Sequence, residues 1–133
     1  MLEPGFLEVG GVRLEARWVG PPPEAAPTLV FLHEGLGSTS LWRDFPDRLA
    51  SETGWGALVY SRAGYGKSDP VSLPRPVRFM HDEAEVLPRV LAAAGVREHV
   101  LIGHSDGASI SLIHAGLIHA GSQPGPGLRG LIL

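Results

Sequence analysis

Cysteine is absent from the chain, which excludes disulfides, thiolate metal sites and a cysteine nucleophile. A basic excess is absent too: 11 Lys and Arg stand against 14 Asp and Glu, a formal charge of −3. That balance argues against an electrostatic nucleic-acid binder. No apolar run approaches the roughly 18 residues of a membrane span. The start, Met1-Leu2-Glu3-Pro4, has neither the basic region nor the apolar core of a signal peptide. Charged residues make up 19% and hydrophobic residues 44%, too apolar for disorder. The expectation is one soluble, cytoplasmic domain with no nucleic-acid or membrane partner.

Glycine and proline, by contrast, are abundant, with 18 and 12 in 133 residues. They fall between apolar runs and read as turn chemistry, not as a low-complexity tract. Phe6–Val9 and Val12–Trp18 alternate around Gly10-Gly11, a hairpin signal. After the stiff Pro21–Pro27 loop, Thr28–Leu32 is a continuous apolar run of the kind buried on both faces. Ser40 reads as the N-cap of a helix from about Leu41 to Glu52, distorted by Pro46. A second buried strand follows at Ala57–Tyr60.

Met80, Ala84, Leu87, Leu91 and Ala94 share one face of a helix over Val77–Ala94, with Gly95 as its stop. Pro88 inside it predicts a kink. His99–Ile102 is a third buried strand, and a helix then runs to about Ala120. A loop over Gly121–Gly127 leads to a final strand from Leu128 to Leu133. Strands alternating with helices give an α/β fold, a mainly parallel sheet with helices on both faces and an N-terminal antiparallel hairpin.

Gly103-His104-Ser105-Asp106-Gly107 has the form G-x-S-x-G and lies where that pattern needs to be, after a strand and at the opening of a helix. Such a turn holds Ser105 in a strained conformation with its hydroxyl clear of the sheet. Gly103 and Gly107 let the strand and helix backbones approach without a Cβ clash. The first amides of the helix, Asp106 among them, point at negative charge forming beside Ser105. The glycine-rich His33-Glu34-Gly35-Leu36-Gly37-Ser38 loop follows another buried strand and can bring a second N–H nearby. Ser61-Arg62-Ala63-Gly64-Tyr65-Gly66-Lys67-Ser68-Asp69 follows the next.

With these three segments in this order, the chain resembles the α/β-hydrolase superfamily over nearly its whole length. The resemblance implies a strand order of 1-2-4-3-5-6 and a partial α/β-hydrolase fold over residues 1–133, ending at strand 6. It implies Ser105 as catalytic nucleophile, the Asp106 amide as one oxyanion donor and the Gly35 amide, or else Leu36, as the other. Gly103 and Gly107 become the elbow glycines. Glu34 stands where the family usually has glycine, and its charge would oppose an oxyanion unless turned away or paired. A serine in the elbow argues against the dehalogenase branch, which uses Asp. A small acyl substrate, an ester, amide or activated acyl group, fits better, with no cofactor and no metal.

The family's triad runs Ser, then Asp or Glu, then His. Only 28 residues follow Ser105, and they hold no carboxylate beyond Asp106. His114 and His119 lie on the nucleophile's own helix, roughly 13 and 21 Å away at 1.5 Å per residue. His104 should leave on a different side from Ser105. His33 is expected to order its loop by a hydrogen bond, and His81 and His99 to lie on the solvent side or at helix ends. Neither His99/His104 nor His114/His119 has the spacing of a helical zinc site.

The resemblance also implies a catalytic domain of roughly 200–250 residues. Three readings follow: part of a longer hydrolase, a half completed by another chain or by self-association at the C-terminal edge strand, or a reduced form with a non-catalytic binding role. Little turnover is expected of the 133 residues alone. A nucleotide site at Gly66-Lys67-Ser68 fails, because Ser61 stands where its first glycine is required and the following prolines prevent the helix.

Overall fold

The computed structural model describes residues 5–122 and 127–133. Most of the loop expected over 121–127, and the Met1–Pro4 start, lie outside them. Six strands form one sheet in the order β1-β2-β4-β3-β5-β6. They are β1 (Phe6–Val9), β2 (Val12–Val19), β3 (Thr28–Leu32), β4 (Gly56–Tyr60), β5 (His99–Gly103) and β6 (Leu128–Ile132). The β1–β2 and β2–β4 pairs are antiparallel, whereas β4, β3, β5 and β6 run parallel. The fold class and the strand order therefore match the expectation.

The hairpin forms because Gly10 and Gly11 take φ of 58° and 82°, the positive values a tight two-residue turn requires. Every residue of β3 and β4 is buried, as continuous apolar runs demand of central strands. Side chains alternate across these strands and so feed two cores. Val30, Leu32, Leu58, Tyr60 and Leu101 pack with Leu87, Val90 and Ile110 on one face. Leu29, Phe31, Ala57, Val59 and Ile102 pack with Ala50 on the other.

Three α-helices cover those faces: α1 (Phe45–Thr53), α2 (Phe79–Ala93) and α3 (Asp106–His119). The helix expected over Leu41–Glu52 is corrected. A 3-10 turn occupies Thr39–Trp42, Arg43 breaks it with φ 54°, and α1 starts afresh at Phe45. Ser40 lies inside the 3-10 turn and is not a cap, while Pro46 sits in the first turn of α1, where no N–H is needed. α2 begins two residues later than expected and buries Ala84, Leu87, Val90 and Leu91. Its end follows the expected glycine stop: Gly95 has φ 71°, its N–H reaches the Ala92 carbonyl, and that of Val96 reaches Leu91. His99 corrects another expectation. It is buried at the start of β5, its Nδ1 2.8 Å from the Arg97 carbonyl.

Candidate active site

β3, β4 and β5 are parallel neighbours, so their C-terminal ends bring three loops to the same rim of the sheet. These are the His33–Ser38 loop, the Ser61–Asp69 loop and the β5–α3 turn. The three segments singled out in the sequence are thus adjacent in space.

Ser105 has φ 55° and ψ −114°, a backbone conformation that costs a non-glycine residue free energy. The chain must reverse within one residue between β5 and α3, and close packing imposes that reversal. A Cβ on residue 103 would meet the Gly107 carbonyl oxygen at 2.5 Å and the Ala108 nitrogen at 2.6 Å. A Cβ on residue 107 would fall on the carbonyl of Leu32. Only glycine at both positions lets strand and helix lie so near. The Ser105 side chain is exposed, and its hydroxyl makes no cap bond to the helix it precedes.

The backbone donors around it divide cleanly. The N–H of Gly107 is taken by the His104 carbonyl at 3.0 Å, and that of Gly37 by Glu34 at 3.0 Å. Asp106 opens α3, so its N–H has no carbonyl one turn earlier in the helix. Among the described residues, no partner is found for the N–H of Asp106, Gly35 or Leu36. Gly35 packs directly on Asp106: a Cβ there would come within 2.6 Å of Asp106 Oδ2. The glycine-rich His33–Ser38 loop and the β5–α3 turn are therefore in contact. Leu36 is 88% exposed.

His33 is buried beneath this loop. Its Nε2 accepts the Arg62 N–H at 2.9 Å, so its Nδ1 carries the proton and donates to the Glu34 carbonyl at 2.7 Å. Burial first, and then the Arg62 charge, push its pKa down to about 4. His33 is a neutral structural bridge, which agrees with the loop-ordering role expected for it. Glu34 and the exposed His104 line a cleft of about 240 Å³ with Trp42 and Arg43. His114 is buried in the middle of α3 and His119 exposed at its end. Among the described residues, no group of three or more His, Asp or Glu is arranged to hold a metal, and no helix is long and apolar enough to cross a membrane.

Sequence reasoning missed the supports. Glu15 on β2 accepts from the Ser61 hydroxyl at 2.9 Å and from the Lys67 N–H at 3.1 Å. Ser61 Oγ in turn accepts the buried Thr39 N–H at 2.9 Å. Arg62 is the larger omission. It is 1% exposed, donates to the His33 carbonyl at 2.6 Å and faces the Asp106 carboxylate at 4.0 Å. An arginine two residues past the end of a fully buried strand was the available signal, because burial there demands partners.

Comparison with known proteins agrees with this geometry. A family model described as alpha/beta hydrolase fold matches residues 27–119. The protein named "Putative carbamate hydrolase RutD" from Escherichia coli is 33% identical over 95 residues, covering 71% of this chain and 34% of that protein. The chain thus spans about a third of the length of the curated relatives it matches. Among solved structures, the esterase EaEST from Exiguobacterium antarcticum superposes with a TM-score of 0.74 at 21% identity, over 95% of this chain and 42% of its own. The epoxide hydrolase VrEH1 from Vigna radiata gives 0.74 at 19% identity, over 95% and 37%. Those two likenesses concern the fold. The chain belongs to the α/β-hydrolase fold family.

Proposed function

We propose that this chain carries the nucleophile and oxyanion hole of a serine hydrolase acting on an ester, amide or related acyl group through an acyl-enzyme at Ser105. The observation behind it is the positive φ of Ser105, which leaves an exposed residue, its hydroxyl uncapped, next in sequence to the Asp106 amide, with Gly35 packed on Asp106. Strain held at one polar residue at a strand-to-helix junction is the usual mark of a reacting group. The carbamate group in the name of RutD is one such acyl group.

The chemistry divides into two halves. A base removes the Ser105 proton as Oγ attacks the acyl carbon. The carbonyl oxygen becomes an oxyanion that accepts from the Asp106 N–H and from Gly35, with Leu36 as the alternative donor. Collapse expels the leaving group, which takes the proton back from the base, and water later releases the acyl group by the same route. The base is not His33, whose Nε2 is engaged and whose pKa is about 4. His114 is buried on the nucleophile's own helix. Among the residues after Ser105, Asp106 carries the only carboxylate, so the acid that would orient such a base is not among them.

A second reading is favoured by β6. Among the described strands it pairs only with β5, and Ile132 is 55% exposed. That edge would accept a completing chain or a second copy. Two variants separate the readings in the full-length protein. Ser105→Ala abolishes ester hydrolysis and leaves stability nearly unchanged if Ser105 is the nucleophile. Ile132→Lys breaks association, with Ser105→Ala silent, if the edge is the function.

A further inference from the structure

Asp106 poses a conflict for the reading above, on which this inference rests. Its N–H is a proposed oxyanion donor, yet its side chain brings a carboxylate to the residue beside the nucleophile. A negative charge there opposes the oxyanion that the amides stabilise. Arg62 lies directly behind it. Its Nη1 donates to the His33 carbonyl at 2.6 Å, and its guanidinium lies 5.1 Å from the centre of the Tyr65 ring. Among the described residues its Nη2 is buried with no hydrogen-bond partner, and it stands 4.0 Å from Asp106 Oδ2. A buried guanidinium needs an anion. The half-buried Glu83 on α2 is a further carboxylate near Arg62, and it also faces Arg75. The Asp106 carboxylate is itself wedged against Gly35.

We propose that Arg62 is a positioning residue that neutralises the Asp106 carboxylate and holds it against Gly35, so that amides and not a free anion face the oxyanion. Arg62 touches no substrate and acts through Asp106. One side chain thereby serves both walls of the oxyanion hole, since its other nitrogen fixes the root of the loop at His33. The cost of losing Arg62 is then mainly the charge it leaves uncovered, and removing that charge restores the rate.

The test is a double-mutant cycle on the full-length protein, with kcat and KM read on p-nitrophenyl butyrate. Arg62→Met lowers kcat about tenfold or more and leaves KM within about twofold, because the lost interaction belongs to the transition state. Asp106→Asn alone raises kcat, by about threefold, since Arg62 then faces the oxyanion without its counter-charge. The double variant recovers most of the Arg62→Met loss. A purely structural Arg62 gives a double variant as slow as Arg62→Met, and that result overturns the proposal. Where Arg62→Met does not fold by circular dichroism, Asp106→Asn decides: a rise in kcat supports the proposal, and no rise overturns it. Ser105→Ala is run alongside. A rate that survives it removes the nucleophile assignment and this proposal together, whereas a rate abolished by it, with no recovery in the cycle, removes the role of Arg62 alone.

Discussion

The carbonyl oxygen of Leu32 occupies the space that a Cβ on Gly107 would need. The end of β3 and the first turn of α3 are therefore in backbone contact, and the elbow owes its sharpness to that approach. Gly107→Ala must push two backbones apart and is expected to destabilise by about 3 kcal/mol. At Gly116, further along the same helix, a Cβ would meet nothing within 4 Å, and Gly116→Ala should stabilise by about 0.5–1 kcal/mol. Urea unfolding of both variants checks the pair, and equal effects would contradict the packing argument.

Ser105 is expected to trade stability for chemistry. Its φ of 55° suits glycine, so Ser105→Gly should raise stability by about 1 kcal/mol, while Ser105→Ala keeps the strain and changes it little. Denaturant midpoints measured side by side distinguish this from a relaxed turn, for which Gly would be the less stable of the two.

Ser61 is expected to matter for folding although it touches no substrate. Ser61→Ala leaves the buried Thr39 N–H without its acceptor at 2.9 Å and takes from the Glu15 carboxylate one of its two donors. The expected loss is about 1–3 kcal/mol, read from chemical denaturation.

His33 makes stability depend on pH. Its folded pKa of about 4 lies below the ordinary 6.5, so the unfolded chain binds the extra proton between those values. Stability is then fully present above pH 6.5 and falls as pH drops toward 4, by up to about 3 kcal/mol. His99, also held low by burial, adds to the same trend. His33→Gln can still accept from Arg62 and donate to Glu34, so it should flatten the slope of Tm between pH 7 and 4.5. An unchanged slope would contradict the assignment.

Much of this was legible in the sequence, for physical reasons that differ by element. Continuous apolar runs marked β3 and β4 because both their faces are covered, and Gly10-Gly11 marked the hairpin because few other residues accept its turn. G-x-S-x-G marked the elbow because Gly103 and Gly107 leave no room for a side chain. The break at Arg43 was not legible: it depends on how Trp42 and Phe45 pack on Phe31, with ring centroids 5.1 and 5.9 Å from it. Nor was the burial of His99, whose surroundings come from residues distant in sequence. Arg62 was visible within its motif, but its partners His33 and Asp106 are 29 and 44 positions away.

Acylation of Ser105 Oγ is the step on which the proposed reaction turns. The most direct measurement is covalent trapping in the full-length protein with a fluorophosphonate, followed by peptide mapping of the adduct by mass spectrometry. One adduct is predicted, on Ser105, lost together with ester hydrolysis in Ser105→Ala. Hydrolysis that persists in Ser105→Ala, or an adduct on another residue, would contradict it.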